Sequence, residues 1–340
     1  MKRVAAVIAL LLVAVAVAAA VVSVRVRQPF RGYPGLEQFV EIAPGTGSRS
    51  IGDRLVSAGV IRDSLTYRVA LWLTGRSKTL KAGEYRFDQP MTPLEVIAKI
   101  ARGDVYVIAV TFPEGLTIPE MAAIFESSGL GDAASFASAA QDGSAIRALD
   151  SLARTLEGYL FPETYLVSRH TDAPALVKLM VERFAHVITP AMREAAKSQG
   201  LSIHDVATLA SIVEKETAQP GERPLVARVY LNRLRIGMAL QCDPTVIYAL
   251  ALAGRYRGNL RRDDLAVDSR YNTYRFPGLP PGPIAAPGKA SIEAVIQPAD
   301  ADYLYFVSRN DGTHAFARTL DEHNRNVQIF QLRRVRRRPI

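Results

Sequence analysis

One cysteine, Cys242, is all the thiol chemistry the chain carries across its 340 residues. No intramolecular disulfide can form, so stability must come from packing. A lone thiol suits the cytosol and equally an exported protein that folds without disulfides. The five histidines (170, 186, 204, 314 and 323) fall at no metal-ligand spacing, and no CxxC pair exists. Both absences argue against a metal site. Segments of the HExxH, GxSxG or SxxK type are missing, as are a P-loop, zinc-finger spacing and an RNP-like aromatic pattern. No cofactor is expected, and charge alone does not argue for nucleic acid as a partner. Cys242 has no neighbouring histidine to activate it and reads as a small buried thiol.

Hydrophobic residues make up 49% and charged ones 22%, which is ordinary globular composition rather than that of a disordered chain. The net charge is +9, and Arg333, Arg334, Arg336, Arg337 and Arg338 supply five of those charges at the C-terminus. A basic surface suits nucleic acid, anionic lipid or an anionic wall polymer. The plainest reading of residues 333–340 is a solvated basic tail.

Long apolar runs are likewise scarce, with one exception. Val4 to Val22 contains no polar side chain, and Ser23 and Val24 extend it. At about 1.5 Å per residue a helix over 4–24 crosses the ~30 Å hydrocarbon core of a bilayer. Residues 1–3, with Lys2 and Arg3, favour a cytoplasmic N-terminus, although Arg25, Arg27 and Arg31 reduce the asymmetry. A cleaved signal peptide is the alternative, with Ala18-Ala19-Ala20 as its cleavage site, but its apolar region normally runs only ~7–15 residues. Either reading exports the rest of the chain.

Pro29, Gly32, Pro34 and Gly35 mark residues 25–35 as a linker. A small α+β module is expected over 36–106. Phe39–Ile42 and Glu84–Phe87 read as strands, a helix starts near Ser50, and another covers Tyr67–Leu73. Thr92-Pro93-Leu94-Glu95 and Thr117-Ile118-Pro119-Glu120 have the capping-box pattern that opens helices. A larger mixed α+β domain is expected over 107–332. It begins with a β-branched run to Phe112, passes through an exposed helical stretch near 129–153, and continues into helices over 174–187, 190–199, 203–217 and 224–234. The Pro-, Gly-, Tyr- and Asn-rich segment 240–288 reads as ordered loops, where sites concentrate. Tyr303–Val307 reads as a closing strand.

The chemically informative segment is Leu209-Ala210-Ser211-Ile212-Val213-Glu214-Lys215-Glu216-Thr217. At about 100° per residue, Val206, Leu209, Ala210, Ile212 and Val213 share one face. Glu216 lies roughly 50° from its centre, whereas Glu214 and Lys215 lie more than about 100° away. Glu216 is therefore expected to point inward, and the other two to solvent. An inward carboxyl is desolvated, which raises its pKa and suits it to act as a general acid. The competing reading is a structural Glu in a salt bridge or helix-end hydrogen bond, and Glu163 is another candidate acid.

Several blocks occur in order: Glu157-Gly158-Tyr159-Leu160-Phe161-Pro162-Glu163-Thr164-Tyr165, Ser211–Thr217, and Asn232–Met238. They continue with Leu240–Tyr248, Tyr271-Asn272-Thr273-Tyr274, Gly278–Ile284, Tyr303–Val307 and His314-Ala315-Phe316. With these blocks the sequence resembles the MltG/YceG family of endolytic murein transglycosylases. The resemblance implies a single-pass inner-membrane protein with a LysM-like module and a periplasmic catalytic domain. Peptidoglycan glycan strands are the implied substrate. Glu216 matches the family's catalytic position. The implied reaction cuts the β-1,4 bond between N-acetylmuramic acid and N-acetylglucosamine within nascent strands, leaves 1,6-anhydromuramic ends and can terminate polymerisation. Inner-membrane lipid, penicillin-binding proteins and other wall-synthesis proteins are the further partners to expect. Gln241, Asp243, Tyr271, Asn272 and Tyr274 are the candidate glycan-binding residues, since amide, hydroxyl and aromatic groups suit sugars. Cys242 stands where Thr or Ser is expected, and Ala286 where a polar residue is. Two alternatives remain open at this level: a non-catalytic wall-binding or scaffold protein, and a hydrolase using Asp243 as a second carboxylate.

Overall fold

The computed structural model describes residues 2–332, so the basic tail at 333–340 lies outside the described residues. The chain is mixed α+β and divides into two compact units, the first ending at Ile108 and the second beginning at Ala109.

The first unit starts with α1 (Lys2–Arg27), whose apolar side chains are exposed along most of its length. It is long and apolar enough to cross a membrane. Only its C-terminal end joins a core: Val26 is buried and Val22 packs partly against the same cluster. Next come β1 (Gln38–Ile42), α2 (Ser48–Ser57), α3 (Ser64–Thr74), β2 (Gly83–Phe87) and α4 (Pro93–Arg102). β1 and β2 pair antiparallel, from Gln38 opposite Phe87 to Ile42 opposite Gly83. Alternation places Val40, Ile42, Tyr85 and Phe87 in the core, beneath Ile51 and Leu55 of α2 and Val96, Ile97 and Ile100 of α4. The Thr92 capping box forms as its sequence predicts, with Glu95 accepting from the Thr92 N–H at 2.7 Å.

The second unit opens with β3 (Ile108–Thr111), which pairs with β4 (Thr164–Val167). Between them lie α5 (Ile118–Ser127), entered through the predicted Thr117 capping box, and α6 (Ala133–Ala139). The 129–153 stretch is less exposed than its Ala/Ser/Asp composition suggests. Phe136 and Ala140 are fully buried, and Ile146 and Asp150 nearly so. A few large side chains suffice to anchor a polar segment.

The helical layer follows as α7 (Ala173–Val187), α8 (Pro190–Ser198), α9 (Ile203–Glu216), α10 (Arg223–Arg235), α11 (Asp243–Leu252) and α12 (Lys289–Ile296). Asp243–Leu252 is thus a helix inside the segment expected to be loop. Its apolar residues surround the axis without a polar face, so the sequence offers no 3.6-residue period to detect. β5 (Tyr305–Ser308) and β6 (His314–Ala317) form an antiparallel hairpin, and α13 (Leu320–Val327) closes the described fold.

α9 is the central element. It packs against α8, α10, α11 and α12, and every residue from Val206 to Val213 is buried. Ser202 opens it with a capping box, accepting from the Asp205 N–H while the Asp205 carboxylate returns to Ser202.

In the first unit, a Cβ added at Gly52 would sit 2.3 Å from the ring of Tyr67, which is itself fully buried. Gly52→Ala should therefore destabilise this unit by ~1–3 kcal/mol through overpacking, read as earlier thermal unfolding.

Candidate active site

Because α9 is enclosed on several sides, the two carboxylates at its end both face protein, and they face different chemistry. The expectation that Glu214 points to solvent is wrong. Its side chain is only 6% exposed and pairs with Arg223 at 2.9 Å. It also accepts from the Gly288 N–H at 3.0 Å and the Ser291 hydroxyl at 2.7 Å. Those two donors belong to the N-terminus of α12, whose unpaired N–H groups and dipole favour an anion. The helix does turn Glu214 away from the apolar stripe, but α12 and Arg223 lie on that far side in place of water. Lys215 is exposed and donates to the Gly115 carbonyl at 3.0 Å.

Glu216 has no cationic partner at contact distance among the described residues. The Tyr230 hydroxyl donates to its Oε1 at 2.7 Å, and the Cys242 thiol also bonds to it. The residue keeps some exposed surface, yet protein crowds its carboxyl, and burial is the main cause that raises its pKa above the ordinary carboxylate range. The Cys242 and Tyr230 hydrogen bonds oppose that rise, the charge of Asp243 adds to it, and His314 opposes it. Glu216 is thus a carboxyl biased toward its protonated form, with donors ready to receive it when ionised. Cys242 is fully buried, and burial together with Glu216 holds its thiol pKa well above the usual value. It acts here as a neutral hydrogen-bonding group.

Asp243 begins α11 and accepts from the Tyr274 hydroxyl at 2.7 Å, which brings Asp243, Tyr274 and Glu216 into one neighbourhood. Gln241 adjoins them with φ of +51°, a left-handed conformation unusual for a residue with a side chain. Its N–H is tied to the Thr273 carbonyl at 3.2 Å. Strain of this kind persists where the surroundings enforce it, often at functional sites.

Asn272 is placed differently from expectation. It is fully buried, and its amide donates to the carbonyls of Leu265 and Val267 while its Oδ1 accepts from the Tyr274 N–H. Its amide hydrogens and oxygen are committed to shaping the loop. Tyr271 packs against Tyr248 at 4.9 Å and lines a separate cavity of about 280 Å³ with Glu157, Tyr159 and His204. Glu163 is held by Arg183 through two hydrogen bonds and is a salt-bridge residue. Ala286 is buried, its backbone paired with Gly115 and Leu116, so a polar side chain there would have faced the interior rather than a glycan.

Two features escaped the sequence reading. His314 is held by Glu222, through its ring Nδ1 at 2.7 Å and its backbone N–H at 2.8 Å, and it contributes to the field at Glu216. Glu157 is buried and accepts from the Ile118 N–H at the start of α5 and from the Tyr248 hydroxyl. Burial dominates and raises its carboxyl to about 7. The partners of both come from 39 to 92 residues away in sequence, so no local signal marked them.

The fold and site together define an α+β protein whose central helix ends in two buried carboxyls, one in an ion pair with Arg223 and the other, Glu216, held by Tyr230 beside the loop bearing Tyr274. The YceG-like family matches residues 40–329. An endolytic murein transglycosylase of Bacillus subtilis is 31% identical over 307 residues, covering 86% of this chain and 84% of its own length. One of Streptococcus pneumoniae strain D39 is 31% identical over 321 residues, and this chain spans only 57% of that longer protein. A crystal structure of a YceG-like protein from Listeria monocytogenes superposes with a TM-score of 0.58 at 32% identity, covering 85% of this chain and 98% of that one. The chain belongs to the YceG-like family.

Folding raises the Glu157 carboxyl from 4.5 to about 7. Between those values the unfolded chain is ionised while the folded chain keeps its proton, so stability falls as pH rises and levels off above the folded value. At about 1.4 kcal/mol per unit the loss is roughly 3 kcal/mol. Glu157→Gln should remove this dependence. The melting temperature of the detergent-solubilised variant, relative to the parent, should climb as pH rises through this window.

Proposed function

We propose that this protein is an endolytic murein transglycosylase in which Glu216 alone serves as acid and base. The observation that carries this reading is the desolvated Glu216 carboxyl, held by Tyr230 and Cys242 at the end of a buried helix. The named activity of its relatives supports it. Protonated Glu216 gives its proton to the oxygen linking N-acetylmuramic acid to N-acetylglucosamine, and an oxocarbenium-like transition state develops at C1. The resulting carboxylate takes the proton of the muramic C6 hydroxyl, whose oxygen closes on C1 to leave a 1,6-anhydro end. Most glycosidases need a second carboxylate to activate water or to form a covalent intermediate. An internal nucleophile dispenses with it. In this reading Gln241, Asp243 and Tyr274, which neighbour Glu216, hold the glycan, with Asn272 shaping the loop behind them and Tyr271 farther along it.

In the same reading α1 anchors the chain once in the inner membrane, with Lys2 and Arg3 on the cytoplasmic side and the second unit in the periplasm. The β1-α2-α3-β2 order supports a LysM-like role for the first unit. Cutting nascent strands would terminate their polymerisation, in company with penicillin-binding proteins and other wall-synthesis proteins.

Glu216→Gln keeps the shape and removes the titrating proton, so it should fold normally and lose ~10²–10⁴-fold or more of cleavage. Glu214→Ala should instead strand Arg223 and uncap α12, costing ~3–5 kcal/mol of stability as a broken buried pair does. Mass analysis of the digest should show fragments lighter by one water than hydrolytic ones. Reducing ends would mean a hydrolase using Asp243, and full activity in Glu216→Gln would leave a wall-binding protein.

Cys242→Ala removes a hydrogen bond that favours ionised Glu216. The alkaline limb of the pH–rate profile, where the acid loses its proton, should move to higher pH.

A further inference from the structure

Helix α3 lies beside α1 and runs opposite to it. Its N-cap, Asp63, meets Arg25 near the C-terminal end of α1 at 3.6 Å. Ten residues later, Leu73 and Thr74 line one cavity, of about 810 Å³, with Val15, Ala18 and Val22 of α1. The α1 residues on this cavity recur every three or four positions, so they form a single stripe down one face of the helix.

If the span covers 4–24, its outer boundary falls near Val24. The cavity runs from Val15 up to Val26 and Arg27 and takes in Leu94 as well. α3 starts beside Arg25, just outside that boundary, and runs back along the span, so its tip lies on the membrane side of Val24. The composition of the tip agrees. Trp72 is 79% exposed and Leu73 is more than half exposed, on a helix whose opposite face is buried through Tyr67, Ala70 and Leu71. Two of its last four carbonyls are also satisfied internally. Gly75 adopts φ of +65° and returns its N–H to the carbonyls of Leu71 and Trp72, and the Thr74 hydroxyl donates to the Leu71 carbonyl. A helix end entering hydrocarbon needs its last carbonyls satisfied without water. Exposed Arg68, Arg76 and Lys78 flank the apolar tip, which keeps any insertion at the shallow depth from which long cationic side chains reach headgroups.

We propose that the C-terminal end of α3, Trp72 to Gly75, is inserted into the outer leaflet of the membrane that α1 spans, so that the first unit is seated in the bilayer surface by two elements. The partner is the lipid interface itself. The proposal rests on the membrane-spanning reading of α1.

Trp72 is the only tryptophan of the chain, so its fluorescence reports this position directly. The full-length protein is reconstituted into vesicles of phosphatidylethanolamine and phosphatidylglycerol, floated after an alkaline wash, and measured with and without lipids brominated high on the acyl chain. The expected result is a blue-shifted emission, most of it lost to brominated lipid and little of it to aqueous iodide, with Trp72→Phe as the blank. Protein that floats with the vesicles, yet is quenched by iodide and spared by brominated lipid, would overturn the insertion and leave the anchor intact. Protein that does not float would remove the spanning reading, and the insertion with it.

Discussion

The ion pair between Glu214 and Arg223, completed by the N-terminus of α12, is the contact around which the second unit is arranged. It joins α9, the following helix α10 and the distant α12, and it does so directly behind the end of α9. A guanidinium and two further donors meet the buried Glu214 carboxyl. Its neighbour two residues on receives a phenol and a thiol and, among the described residues, no contacting cation, so the same helix end holds an ion pair and a carboxyl biased toward its protonated form side by side. Two identical side chains take opposite roles because the helix turns them to different partners. The pair also holds Arg223 in place, and Arg223 reaches Glu114 at 3.4 Å, which ties the segment after β3 to the same cluster.

The position of Glu216 was legible from apolar periodicity because α9 is a regular helix whose buried stripe runs to its end. The capping boxes at Thr92 and Thr117 were legible because each is closed within four residues. β1 and β2 were legible because strand alternation is local. What stayed hidden was set by distant chain. Glu214 looked solvent-facing because the sequence of α9 carries no sign of α12. The helix at Asp243–Leu252 has no polar face to betray it. Asn272 looked like a sugar ligand because an exposed and a buried asparagine read the same, and only the carbonyls of Leu265 and Val267 decide between them. Glu157 and His314 draw their character from partners on other elements, as buried titratable groups usually do.

The neighbourhood of Glu216 is assembled from α9, α10, α11, the loop bearing Tyr274 and the β5–β6 hairpin. Each supplies one interaction of moderate strength. Tyr230 and Cys242 stabilise the anion, burial stabilises the acid, and Asp243 and His314 pull in opposite directions. In the proposed reaction Glu216 first gives a proton and then accepts one, and such opposition suits that role, since neither state is locked.

The hairpin carries a consequence of its own. His314 sits opposite Ser308 at the closed end of the ladder, and the turn joining them holds Asn310 and Gly312 at φ of +60° and +88°. Side chains on a strand alternate between faces, so the count of residues in that turn decides which way the imidazole looks. A turn remote from Glu216 in sequence thus sets the orientation of a side chain that contributes, as one of several causes, to the field at that carboxyl.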